Sequence, residues 1–373
     1  MRHWPSNPPE VPPMGPSKVL SGLAFTGRRA RYTSADTWYP SWASDDKMYS
    51  PWTDGSVGPW SSDSHGRLAM TGRARIIGSD PLSLVVEPLG TLMADPSPYE
   101  HRYPGGSLVY EGIWYYSTYC LDEPGGQNIL GPLVGFHIST DAGATWKEPP
   151  TVPAEPLFGE SAKYGGVVRF GAPHFVDFGK NMEHSPDGYA YLVGHGTTRP
   201  LRRRTWISGD AIFLARVQPD PELVNLASSW EFFIGFDEDA SPRWGVDVQA
   251  AQPIVRWDGH AGNVAVTWFP GLRRFIMSIT DGGAAIGPMS SYILEASCLE
   301  GPWHLVTYLR HFGTQGYFLN FPSRFISSDG SVAWLCYSAN CANRYDGADL
   351  AEDPPGSCYA MCLQEVHLLK AEV

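Results

Sequence analysis

Two aspartates, Asp36 and Asp54, bracket the stretch ADTWYPSWASDDKMYSPWTDG (residues 35–55). Paired carboxyl groups can do acid–base work on an acetal. One is kept protonated to donate to a leaving oxygen, and the other is ionised to activate water or attack carbon. The stretch reads as a strand from Thr37 to Ala43, a turn at Asp45-Asp46-Lys47, and a second strand from Met48 to Thr53. Antiparallel strands joined by a short turn return their free ends to one place, so the two carboxyls are expected on one face. A separation of about 5 Å would imply retention at the reacting carbon, and about 6.5–9.5 Å would imply inversion.

Four later hairpins repeat the pattern, and polar residues stand at their open ends too. In chain order these are His101, Tyr103, Asp122 and Glu123; His174 and His195; His260, Asn263 and Asp281; and Asn320 and Asn340, with Glu160 in the loop before the third hairpin. The reading gives Asp36 the base or nucleophile role, with Asp122, Glu123 or Glu160 as acid and Asp54 as a pKa tuner or ligand. His195, Asn263 and Asn320 would hold hydroxyls. Trp38 and Tyr317, among many aromatics near the first two hairpins, could stack on sugar rings. Strand alternation sends half of such residues to the core. Structural roles compete throughout: Asp54-Gly55 and Asp281-Gly282 are good turn formers, Asp36 could cap local amides, and His174 and His260 could be satisfied core histidines. His195 lies between two glycines, which leaves its ring accessible.

The elements that must position these residues are short aromatic and β-branched runs bounded by Gly, Pro and Asp. The later hairpins span residues 105–122, 171–196, 262–282 and 318–340, turning at Glu111-Gly112, Asp187-Gly188, Pro270-Gly271 and Asp329-Gly330. Each is followed by outer strands: 73–78 and 83–88 in the first unit, 134–139 and the segment after Trp146 in the second. The third adds 211–217 and 230–236, the fourth SSYILEAS and WHLVTYL, and the fifth 359–369. A strand over Lys18 to Tyr32 would close the ring on the last unit. The fold expected is all-β, a five-bladed β-propeller of four-stranded antiparallel blades in one domain (18–373), after an extended Pro-rich arm (1–17).

Composition narrows the partners. The net charge of −12 over 373 residues argues against nucleic acid and anionic membrane. No apolar run reaches the ~18 residues of a membrane span, and the N-terminus lacks a signal-peptide pattern. Cytoplasmic residence is therefore expected, or secretion if a leader has been removed. The six cysteines (120, 298, 336, 341, 358, 362) read as free thiols without zinc spacing. No metal or cofactor is expected, though a structural Ca²⁺ at the propeller axis is compatible. The run RPLRRR (199–204) reads as a solvated loop. The chain is expected as a monomer or small homo-oligomer.

SerThrAspAlaGlyAlaThrTrp (139–146) matches the Asp-box S-x-D-x-G-x-x-W. In sialidase-like propellers this motif closes a rim hairpin, its Asp (here Asp141) bonding the turn and its Trp (here Trp146) packing beneath. The whole arrangement resembles the five-bladed propeller glycoside hydrolases of families 43, 62 and 32. Residues 35–55 and PSRFISSDGSVAWLCYSAN (322–340) are most similar to DUF4185-like propellers, some of which act on arabinan-type glycans. That resemblance implies a hydrolase of plant- or microbe-derived oligo- or polysaccharide, arabinan-type favoured. The family 43 pattern places a base at Asp36 and a pKa-tuning Asp at Asp122. Its proton donor, a Glu on the third blade, has Glu160 nearby but ahead of the expected strand. Two rival readings stand beside this one. A polysaccharide lyase would use His195 or His174 with a tyrosine, and Arg199 or Arg324 against a uronate. A non-catalytic carbohydrate-binding propeller would only bind.

Overall fold

The computed structural model describes residues 1–4, 6–123, 129–161, 166–199, 204–282 and 287–371. Residues 200–203 of the arginine run lie outside that set. The chain forms five antiparallel sheets, the blades of a propeller. Blade one runs outward through Ser34–Asp36, Met48–Val57, Met70–Ile77 and Val85–Met93, with Ser41–Trp42 and Trp60–Ser62 also pairing with Met48–Val57. Blade two is His101–Tyr110, Ile113–Asp122 and Ile129–Ser139. Blade three is Gly171–Phe175, Ala190–Gly196, Ala211–Val217, Glu231–Phe236 and Pro242–Gly245, and Pro253–Arg256 also pairs with its third strand. Blade four is Val264–Phe269, Arg274–Gly282, Met289–Ala296 and His304–Leu309. Blade five takes Gly316–Asn320, Val332–Ala339 and Met361–Lys370 from the C-terminal end, and the N-terminal Leu20–Tyr32 and Arg2–His3 add its two outer strands.

The fold class matches the expectation from sequence, but among the described residues only blade four has the expected four strands. Blade two has three strands, because the segment after Trp146 makes only an isolated bridge, Ile138↔Lys147. Pro149, Pro150 and Pro153 remove the ladder donors a fourth strand would need. The inner strand of blade one, expected as continuous over 37–43, is split into Ser34–Asp36 and Ser41–Trp42. Thr37 adopts a left-handed φ of 65°, and Pro40 has no N–H to give.

Closure joins the chain ends. Leu20–Tyr32 pairs with Met361–Lys370 from Leu20↔Lys370 to Tyr32↔Met361, so the last strand is paired on both sides, and Arg2–His3 pairs in turn with Phe25 and Ala24. Ahead of it, buried Trp4 meets Phe25 and Phe312 edge-on at 5.8 and 5.1 Å and donates to the Arg310 carbonyl at 2.7 Å. Asp46, in the first hairpin turn, is held by Arg324 at 2.7 and 3.0 Å and by Lys180 at 3.1 Å, and these contacts keep its carboxyl well below the usual range. In the turn at residues 139–146, Asp141 accepts from the Thr145 amide at 2.8 Å while Trp146 packs edge-on against Trp114 at 5.0 Å. All six cysteines are free. Among the described residues no helix is long and apolar enough to cross a membrane.

Candidate active site

The inner strand of blade one delivers Asp36, which lies opposite Thr53 on the neighbouring strand. The next residue on that strand, Asp54, has φ 50°, and Thr37 beside Asp36 has φ 65°. Left-handed backbone at a non-glycine residue costs of order 1–3 kcal/mol and concentrates where function requires it. Gly55 answers a tighter need: a Cβ there would lie 2.0 Å from the Ser34 carbonyl oxygen. The Asp54-Gly55 pair is thus inside the strand Met48–Val57, where close backbone approach, not a turn, demands the glycine.

Both carboxyls are buried, and their surroundings pull them apart. Asp36 accepts from the Tyr317 hydroxyl at 2.9 Å and from the Thr37 hydroxyl at 2.9 Å. Burial, with the charge of Asp54 second, pushes its pKa up to about 8. Asp54 accepts from the Ser64 amide at 2.6 Å and from the Ser64 hydroxyl at 2.8 Å. Burial raises it too, but those two bonds favour the anion, and it reaches only about 6. Asp36 is thus the member pushed further towards the protonated form, and Asp54 the one whose bonds favour the anion.

Tyrosines surround the pair. Tyr103 and Tyr119 from blade two stack on each other at 5.6 Å, and Tyr317 from blade five bonds Asp36. Tyr359 donates to the Asp54 carbonyl at 2.7 Å, and Tyr345 lies 3.1 Å from the Tyr359 hydroxyl. Burial first, and the carboxylates behind it, push the phenols of Tyr103, Tyr119, Tyr317 and Tyr359 well up, so they remain neutral donors. Half-buried Trp206 stands edge-on to Tyr317 at 5.2 Å.

Of the residues singled out from sequence, the structure brings Asp36, Asp54, Tyr103 and Tyr317 together. His101 and Glu123 lie beside them, bonded to each other at 2.7 Å, and the His101 ring acts on the Asp54 charge. The rest make other contacts. Asp122 ends its strand opposite Ile129, and its charge acts on the Cys120 thiol. Glu160 is buried with its oxygens on the Arg169 and Phe170 amides at 3.0 and 3.1 Å, which ties down its own loop. Trp38 is in the core with its indole N–H on the Ala35 carbonyl. His174 lies beneath Tyr39, ring centroids 3.5 Å apart, and His195 faces the Thr205 carbonyl at 3.2 Å. Burial lowers both imidazoles, His195 to about 4. The amides serve backbone: Asn263 accepts from the Phe318 amide, Asn320 donates to the Trp38 carbonyl, and Asn340 donates to the Ser357 carbonyl. His260 and Asp281 bond each other at 2.9 Å in a separate cluster with Tyr308 and Glu10 of the N-terminal arm.

Sequence reading missed Ser64, Tyr119, Trp206, Tyr345 and Tyr359. Tyr119 was reachable, since it shares a hairpin with Tyr103 and directly opposes it. Tyr345 and Tyr359 come from the loop between the last two strands, and nothing local marks them. Among the described residues, the group of three potential metal ligands in mutual reach is His65, His101 and Glu123.

No protein-family model matches the sequence, and no curated protein does. Solved structures do. A Bacteroides ovatus protein, named provisionally as a hydrolase, matches 91% of this chain and 86% of its own at TM-score 0.51 and 12% identity. A GH43_1 enzyme from Xanthomonas citri matches 90% and 89% at TM-score 0.48 and 14% identity. Zg3597, a family 117 glycoside hydrolase from Zobellia galactanivorans, matches 94% and 91% at TM-score 0.48 and 10% identity. At these identities the likeness concerns the fold, which is a five-bladed β-propeller.

Proposed function

We propose that the protein is a glycoside hydrolase that cuts a neutral oligo- or polysaccharide with Asp36 and Asp54. The observation that carries this reading is the buried aspartate pair itself: burial pushes both carboxyls up, Asp36 the further, while the two bonds from Ser64 favour the Asp54 anion. Two carboxyls in unlike environments are what glycoside cleavage needs. Asp36 is the general acid: it donates to the leaving oxygen, and the Tyr317 hydroxyl steadies the anion left behind. Asp54 is the base or nucleophile, kept ionised by Ser64 and oriented by its strained backbone. These roles reverse the one that the family 43 pattern implies for Asp36. They also replace Glu160, whose carboxylate is already engaged by its own loop.

Of the aromatics around the pair, Tyr103, Tyr345, Tyr359 and Trp206 retain exposed surface to offer a sugar, while a negative charge on the ligand would meet Asp54 and a protein of net charge −12. Arabinan-type glycans are the first substrates to try, on the strength of the resemblance in residues 35–55 and 322–340. The imidazoles a lyase would use are engaged in other contacts, His174 against the Tyr39 ring and His195 towards the Thr205 carbonyl.

The test is a panel of arabinan, xylan, galactan and uronan, assayed for reducing ends and for ultraviolet absorbance from unsaturated sugars. Reducing ends without absorbance from a neutral glycan, lost in Asp36→Asn, support the proposal. Absorbance, or binding without turnover on every glycan, contradicts it.

A further inference from the structure

Beside the aspartate pair three side chains from two blades converge. His65 lies in the loop after Trp60–Ser62, and forms an isolated bridge with His101. His101 opens its strand opposite Leu121, and Glu123 follows that second strand. Nδ1 of His65 is 3.3 Å from Nε2 of His101, and the same Nε2 is 2.7 Å from a Glu123 oxygen. All three atoms lie within 4.8 Å of one another.

Hydrogen bonding serves this arrangement poorly. Nε2 of neutral His101 must carry a proton to bond the carboxylate, and it then has no lone pair for His65. If Nδ1 of His65 accepts instead, two acceptors compete for a single N–H. A cation at the centre satisfies all three lone pairs at once. Zn–N bonds of about 2.0–2.1 Å in a tetrahedron put neighbouring donors about 3.3 Å apart; the two imidazole nitrogens, 3.3 Å apart, already have that spacing, and the His101–Glu123 contact of 2.7 Å has to open to reach it. Two imidazoles and a carboxylate suit zinc and its d-block neighbours, whereas calcium and magnesium take oxygen donors. Three protein ligands leave a coordination position for water or a hydroxyl. His65 is exposed and the other two are half-buried, so an ion has a way in.

We propose that His65, His101 and Glu123 form a binding site for a divalent transition-metal ion, zinc first among them, beside the aspartate pair. The site does not depend on the hydrolase reading, and it is tested without any glycan. Protein stripped with a chelator is titrated with Zn²⁺ by calorimetry and with Co²⁺ by visible absorption. The expected result is one equivalent bound, with cobalt ligand-field bands, and affinity at least ~10-fold weaker in His65→Ala and in Glu123→Gln, as loss of a group that ligates or orients typically costs. Metal-free thermal unfolding of the exposed-site variant His65→Ala should match wild type, which separates lost ligation from lost fold. Failure to bind an equivalent of either ion, or binding that both variants retain in full, overturns the proposal.

Discussion

Replacing Asp36 by Asn should change how stability depends on pH, and by a calculable amount. The Asp36 carboxyl has its pKa raised from 3.8 to about 8 by burial and by Asp54. A carboxyl raised on folding contributes stability that is fully present below its unfolded pKa and is lost as pH rises through its folded pKa. Between pH 5 and pH 7 the unfolded chain ionises this group and the folded protein does not, so wild type loses about 1.4 kcal/mol per pH unit through this residue alone. The amide of the Asp36→Asn variant does not titrate. Over those two units the variant should therefore gain about 2.7 kcal/mol on wild type. The offset at any one pH includes the altered bond to Tyr317 and is not diagnostic; the slope is. Asp54 contributes equally to both proteins here, because a protonated Asp36 exerts no charge on it. Urea unfolding at pH 5, 6 and 7 and constant ionic strength measures the difference. A gap between the two proteins that stays constant to within about 0.5 kcal/mol would refute the assignment of a protonated Asp36.

Other expectations follow from the same geometry. The pH dependence of kcat/KM should be bell-shaped, with limbs near 6 for Asp54 and near 8 for Asp36; limbs that both fall below pH 5 would contradict it. Tyr317→Phe removes a bond that lowers the Asp36 pKa, so the alkaline limb should move to higher pH. Ser64→Ala removes one of the bonds that hold Asp54 ionised, so the acid limb should also move up; either limb moving down counts against these roles. Trp4→Ala empties a buried aromatic cluster beside the closing strand and should cost about 3 kcal/mol in denaturant unfolding.

Much of the fold was legible because it is local. Hairpins announce themselves by alternation and by turn pairs, and Glu111-Gly112 turns where expected, both residues at positive φ. The closing strand was inferable from the need to remove an edge, and Leu20–Tyr32 does pair with the last strand. What failed at this level was continuity: the prolines after Trp146 and the left-handed Thr37 break strands that propensity alone would extend. The site was legible in half. Asp36 and Asp54 were visible because one hairpin carries both, yet their protonation states come from burial and from Ser64, which no pattern at residues 35–55 reveals. Polar residues at strand ends such as Asn263, Asn320 and Asn340 looked like ligands and instead bond backbone of neighbouring segments. Tyr345 and Tyr359 meet Asp54 only because the ring closes, across about 300 residues of chain (|i−j| of 291 and 305).

The most direct measurement of the central claim is kcat/KM at pH 7 for wild type, Asp36→Asn and Asp54→Asn on whichever glycan releases reducing ends, with folding of each variant checked by circular dichroism. Both variants should fall by roughly 10³-fold or more, as removal of a general acid or base typically costs 10²–10⁴. A folded variant of either residue that stays within about tenfold of wild type would contradict the account.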